Sequence, residues 1–266
     1  MLTREDKDLI NNDICSNKLF IELSGNVPYF TENEIKKGSK EIFEKYHKLD
    51  RLKRCGVAYA CIIGDNLKRT KKPNYNGRIK LTARKSIKCE NIKDGGYLYN
   101  RCHLIGRQLA TKKVNRKGLI TGTRWLNMEG MSKYENMVAK YIEDNPDHHI
   151  LYRVTPYYKD NYLLAYGIQM EILDIDDEEK LSYNVFVYNK QPGFAIVYRN
   201  GDVYSDYPLS LSGKRSGCNI YVIDMDTNRF HKESCASINN IKTRKYFVGE
   251  KQTIEEKYCK CETCII

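Results

Sequence analysis

The stretch Tyr97-Leu98-Tyr99-Asn100-Arg101-Cys102-His103-Leu104-Ile105-Gly106-Arg107 sets one histidine among cations. Nearby positive charge disfavours the imidazolium and leaves a neutral ring able to accept a proton, so His103 is a candidate general base. Asn127, within Trp125-Leu126-Asn127-Met128-Glu129-Gly130, offers a neutral oxygen to a hard cation such as Mg²⁺. That ion keeps most of its water and takes few protein ligands. Glu135 stands eight residues further on in a helical pattern. Eight residues of straight helix span about 12 Å, too far to share a cation's inner shell with Asn127. Glu135 then acts through water or by orienting other groups, unless Asn127 precedes the helix and folds back over it. Plainer roles stand beside these: a structural or surface histidine, and an asparagine that caps a helix.

A second set lies near the C-terminus. Phe230-His231-Lys232-Glu233-Ser234-Cys235 and Cys261-Glu262-Thr263-Cys264 read as His-x3-Cys, 25 residues, then Cys-x2-Cys. One imidazole and three thiolates complete a tetrahedral Zn²⁺ set, and a module of this size needs such help to hold a core. Cys259 could replace Cys261 with a wider loop, and buried free thiols or a disulfide are the other readings.

The balance of 45 Lys+Arg against 34 Asp+Glu gives +11, and between Lys68 and Arg124 basic residues far outnumber Glu90 and Asp94. A polyanionic partner follows from that surplus, with solubility as the plain alternative. At 266 residues the chain can bury a core without disulfides, and 30% charged residues with spread apolar groups exclude collagen-like, mucin-like or wholly disordered polymers. No run approaches the roughly 18 apolar residues of a membrane span, and Met1 to Asp8 lacks the apolar core of a signal peptide. The chain as written is therefore expected to be cytoplasmic and to bind no membrane. Cysteine clustering favours metal over a disulfide framework.

These residues need elements to position them. Leu19 to Leu23 reads as an opening strand, Glu32 to Lys48 as helix and Cys55 to Gly64 as a buried strand; Asn74-Tyr75-Asn76-Gly77 is a turn. Met131 to Glu143 carries apolar groups at three/four spacing and must stop at Asn145-Pro146. Strands are predicted at Ile150 to Pro156, Leu163 to Leu173, Tyr183 to Tyr188 and Phe194 to Tyr198. Tyr188, Tyr198 and Tyr204 suit sheet packing better than base stacking. Ser, Gly and Pro between Asp202 and Gly217 place a boundary near Lys214, giving units 1–213 and 214–266 of an α+β protein.

Tyr99-Asn100-Arg101-Cys102-His103-Leu104-Ile105-Gly106-Arg107-Gln108-Leu109, then Gly118-Leu119-Ile120-Thr121-Gly122-Thr123-Arg124-Trp125-Leu126-Asn127-Met128-Glu129-Gly130-Met131 and Lys133-Tyr134-Glu135-Asn136, resemble the DNA/RNA non-specific endonuclease family, in its DNA-entry nuclease branch. The likeness extends from Asn26-Val27-Pro28-Tyr29-Phe30 through Arg54 to Ala60 and on to Gln191-Pro192-Gly193. It implies a ββα-metal (His-Me finger) fold with a central antiparallel sheet. It also implies His103 as activator of water, Asn127 as the protein ligand to Mg²⁺ or Mn²⁺, and Glu135 as the helical glutamate of the site. Arg101 matches the arginine of the family's D-R-G-H motif, and Arg107 or Arg124 would hold nucleic acid. Asn100 and Cys102 replace the motif's Asp and Gly, and Gly118 stands where relatives usually carry asparagine.

The C-terminal set, His231, Cys235, Cys261 and Cys264, resembles the Ada-like module, a small α/β unit closed over structural Zn²⁺. Lys242, Arg244, Lys245 and Lys251 there suit DNA contact or a solvated face. The expected partners are DNA and RNA, with an inhibitor or immunity protein to restrain the activity. A catalytically weak nucleic-acid-binding protein is the alternative function.

Overall fold

The computed structural model describes residues 2–13, 18–64, 79–93, 96–112, 115–211 and 219–265. The apolar runs after Pro146 form an antiparallel meander of β7 (Ile150–Tyr157), β8 (Gly167–Asp174) and β9 (Ser182–Tyr188). β1 (Phe20–Glu22) pairs with β9, while β3 (Ala58–Ile62) and β2 (Phe43–Tyr46) extend the other edge. The order is β1-β9-β8-β7-β3-β2, antiparallel throughout. β8 is buried along its whole length because both faces are covered. On one face lies the helix Ser132–Asp144, in which Tyr134, Val138 and Ile142 recur every four residues and point into the core. On the other, Phe30, Leu151 and Leu173 pack together, with Ile35 of the helix Glu32–Gly38 against them. The helix Arg4–Asp13 contributes Ile10 to a small cluster with Leu23, Phe186 and Tyr188. In chain order these helices are α1 (Arg4–Asp13), α2 (Glu32–Gly38) and α3 (Ser132–Asp144); α4 is Lys251–Glu255.

Glu32 to Lys48 is not one helix. Thr31 and Glu34 form a capping box that starts α2, but the helix ends at Gly38, where a Cβ would come within 2.8 Å of Leu151. The remainder turns into β2, because Phe43 packs on Tyr59 and Glu44 finds backbone donors at Thr111 and Lys112. Leu163 to Leu173 is likewise strand only from Gly167.

A second six-stranded sheet runs β10 (Phe194–Val197), β11 (Asp202–Ser205), β15 (Arg244–Gly249), β13 (Asn219–Asp224), β14 (Arg229–Lys232) and β16 (Cys259–Lys260). It begins at Phe194, well before Lys214, and that expected boundary lies outside the described residues, as does the turn at 74–77. Two short ladders complete the fold: β4 (Ile87–Lys88) with β12 (Ser210–Leu211), and β5 (Tyr99–His103) with β6 (Leu119–Thr123). Val203 and Val248 of the second sheet share a core with Ile87, Leu98 and Tyr99, and buried Lys85 pairs with fully buried Asp202. Among the described residues no helix is long and apolar enough to cross a membrane.

Candidate active site and metal centre

The site is built on the β5–β6 hairpin. Its register sets Tyr99 opposite Thr123, Arg101 opposite Thr121 and His103 opposite Leu119. Strand alternation sends Cys102 and Ile120 into the main core and Tyr99, Arg101 and His103 to the other face. Cys102 fits because Gly122 lies diagonally across, where a Cβ would overlap its sulfur. At the end of β6, the Thr123 amide donates to Asn189 Oδ1 at 2.8 Å, and its hydroxyl donates to the Lys190 carbonyl while accepting from the Leu126 amide. The Trp125 amide donates to Gln191 Oε1 at 2.9 Å. These contacts aim a wide, π-type turn, Leu126–Met131, which runs straight into α3. The Ser132 hydroxyl closes that turn on the Asn127 carbonyl at 2.8 Å. The widened turn breaks the straight-helix relation, so Asn127 and Glu135 line one cleft.

That cleft, of about 470 Å³, gathers His103, Arg107, Asn127 and Glu135 together with Gly106, Gln108 and Ser132. Burial, with Arg107 adding to it, pushes the His103 pKa down to about 4, so the ring is neutral at physiological pH. Burial alone pushes Glu135 up to about 7. Gly106 makes that carboxyl's position possible: a Cβ there would sit 2.6 Å from Glu135 Cδ. One carboxamide oxygen beside a carboxyl that burial keeps partly protonated fits a hard divalent cation, whose charge restores the carboxylate. Arg101 and Arg124 do not line the cleft. Arg101 Nε donates to the Ile79 carbonyl at 3.2 Å, and the Arg124 amide donates to Leu98.

Gly106, Gln108, Ser132 and the Asn189–Gln191 segment were not anticipated as site residues, although Gly106, Gln108 and Gln191 stand inside the motifs that carry the family resemblance. Gly118 also gains a physical account. The Tyr46 ring lies over it, 2.6 Å from where a Cβ would be, and the Tyr46 hydroxyl donates to buried Glu44 at 2.7 Å. Space that a side chain at 118 would need is thus taken by a neighbouring strand.

At the far edge of the second sheet, one ligand atom each from His231, Cys235, Cys261 and Cys264 lies within 4.8 Å of the others. A tetrahedral ion with metal–sulfur bonds of about 2.3 Å sets such atoms roughly 3.8 Å apart, so a small contraction closes the set. β14 turns His231 inward, its Nδ1 3.6 Å from Cys235 Sγ, and the Lys232 amide donates to Cys264 Sγ at 3.3 Å. Burial raises the Cys261 thiol, but the Cys264 and Thr263 amides and the Cys264 and Cys235 thiols outweigh it and leave its pKa below the usual value. Cys259 is exposed on β16 opposite Arg229, outside the set.

Residues 32–175 match the DNA/RNA non-specific endonuclease family. The fold is similar to that of NucA from Streptococcus agalactiae, solved with a magnesium ion bound, at 19% identity over 79% of this chain and 98% of that one, with a TM-score of 0.60. It is also similar to the Sda1 nuclease with bound zinc ion, at 24% identity over 76% of this chain and 99% of that one, with a TM-score of 0.55. The family match spans more than half of the chain and contains the hairpin, the wide turn and α3. The chain belongs to the DNA/RNA non-specific endonuclease family and is a nuclease of the ββα-metal fold.

Proposed function

We propose that the chain hydrolyses phosphodiester bonds of DNA and RNA with little sequence preference, with His103 as general base and Mg²⁺ or Mn²⁺ held through Asn127. The observation that carries this reading is the single cleft gathering a neutral imidazole, a carboxamide, a buried carboxyl and Arg107. His103 takes a proton from water as the water attacks phosphorus. Arg107 offers charge to the non-bridging oxygens, and Glu135 orients water in the cleft. A cation held through Asn127 would supply positive charge to the phosphate and the departing 3′ oxygen; the hydrolysis leaves a 5′ phosphate. Arg101 and Arg124, away from the cleft, are assigned to flanking backbone rather than the scissile phosphate. Contacts of this kind go to phosphates and carry no base code. His231, Cys235, Cys261 and Cys264 are proposed to hold a structural Zn²⁺.

The test is cleavage of supercoiled plasmid with and without Mg²⁺, comparing the wild type with His103→Ala at equal zinc content. Cleavage only with the cation, and a loss of about 100- to 10,000-fold in the folded variant, is expected. Retarded but uncut DNA with both proteins would instead support the binding-protein alternative.

A further inference from the structure

Beyond the catalytic cleft, two pockets and one polar cluster stand out among the described residues. The pocket at Lys232, Lys251 and Tyr221 also carries Glu233, and so presents both signs of charge. The Tyr141–Asp174–His148 cluster is closed on itself by hydrogen bonds of 2.6 Å. The third is a groove of about 640 Å³ whose floor is Leu52, Ile79, Leu81 and Leu163. Three cations stand on its walls, Lys53, Lys80 and Arg116, and no carboxylate is among the described residues that line it.

This groove adjoins the catalytic hairpin on the face that carries His103. Arg101 holds the Ile79 carbonyl, and the Thr121 hydroxyl holds the Thr82 carbonyl at 2.7 Å, so residues 79–82 run along that face. Arg101 and His103 are same-face neighbours on β5, roughly 6.6 Å apart along the strand, so the strand that holds residue 79 also carries His103. Arg116 supports the opposite wall, donating to the carbonyl of Leu119, the cross-strand partner of His103, at 3.2 Å and to that of Lys53 at 2.6 Å. Among the described residues its guanidinium is held by these carbonyls and the Cys55 sulfur, with no acid paired to it. Lys53 and Lys80 are exposed.

We propose that this groove is a second nucleic-acid subsite, which seats an unstacked base of single-stranded substrate on its aliphatic floor and that strand's phosphates on Lys53, Lys80 and Arg116. The inference rests on the nuclease reading for its substrate class. A volume of this size holds a nucleobase with its sugar. A paired base keeps its faces stacked and cannot reach the leucines, so the subsite selects unpaired strand. It accounts for three cations around an apolar surface, which solubility alone does not require.

The test uses the full chain carrying Lys53→Asn and Lys80→Gln, asparagine being chosen because residue 53 has a φ of 62°. In a His103→Ala background with Mg²⁺, binding of a fluorescein-labelled twelve-residue oligothymidylate is followed by anisotropy against salt. Removing two phosphate contacts on single strands makes the log–log salt slope shallower by about 1.4 and weakens binding roughly tenfold at 0.15 M salt. Unchanged slope and affinity overturn the subsite. In the active background, KM for the oligonucleotide rises, while kcat/KM for bis(4-nitrophenyl) phosphate, which carries no flanking phosphate for the lysines to hold, stays unchanged. A fall in both assigns the lysines to the cleft instead, and overturns the proposal. Leu81→Ala weakens oligothymidylate more than a blunt duplex; equal loss on both eliminates the base seat. If the wild type cuts no substrate the nuclease reading fails, and the binding arm still decides the groove.

Discussion

His103 and Glu135 occupy one cleft but are displaced in opposite directions by the same cause, burial of the charged form. With its pKa near 4, His103 is a ready acceptor from about pH 5 upward. The acid limb of kcat/KM, measured at saturating cation, therefore falls below pH 5; a midpoint near the ordinary 6.5 would contradict a buried base. The same shifts set stability. Stability linked to His103 is complete above 6.5 and is lost as pH falls from 6.5 through about 4. Stability linked to Glu135 is complete below 4.5 and is lost as pH rises through about 7. A divalent cation offsets that second loss, so Mg²⁺ should raise Tm more at pH 8 than at pH 5; equal increments in thermal melts would separate the cation from Glu135. Gly106→Ala should reduce cleavage at least tenfold with little change in fold, since its methyl strikes the Glu135 carboxyl rather than the backbone. Assays paired with circular dichroism check this.

At the scale of elements, the hairpin is aimed from outside itself. Fully buried Asn189 accepts from Thr123 and donates to the Thr121 and Ala165 carbonyls, joining β6 to the central sheet. Asn189→Ala leaves three buried backbone groups unpaired, a loss of about 3 kcal/mol in urea unfolding; a loss below 1 kcal/mol would mean water replaces the side chain. None of this dependence shows in local pattern. β7, β9 and α3 were legible because apolar spacing and Asn145-Pro146 mark them directly. β5 carries Asn100, Arg101 and His103 in five residues, and its partner strand lies beyond a long excursion from Leu104 to Gly118, so neither periodicity nor a turn motif reveals it. The charges of Glu32 to Lys48 read as helix, although Phe43 and Glu44 serve a sheet edge. His103, Asn127 and Glu135 stood out as candidates because their functional groups carry chemistry, and the fold brings them to one cleft. Gly106, Ser132 and Asn189 act by shape and backbone hydrogen bonds, which only the fold displays.

Across the whole molecule, the second sheet links two distant sites. Its inner strands support the β5–β6 hairpin: the Tyr99 hydroxyl donates to the Gly201 carbonyl at 3.1 Å, Asp202 pairs with Lys85, and Val203 and Val248 pack against Tyr99. Its outer strands, β14 and β16, end at the Cys/His set. A sheet is weakest at its edge, where an outermost strand has one neighbour and the core is thin, so the proposed metal set would act where opening begins. Chelation of the proposed Zn²⁺, with Mg²⁺ restored afterwards, should lower Tm and release amide protons in a gradient: most at β14 and β16, less at β15, least at β5. Plasmid cleavage below the new Tm should persist, because the opening stops before β11. Cys261→Ser should reproduce the gradient without chelator. Uniform exchange across both sheets would show that the zinc site governs global stability, and loss of cleavage with β5 still protected would make the metal a participant in substrate binding rather than a clasp on the sheet edge.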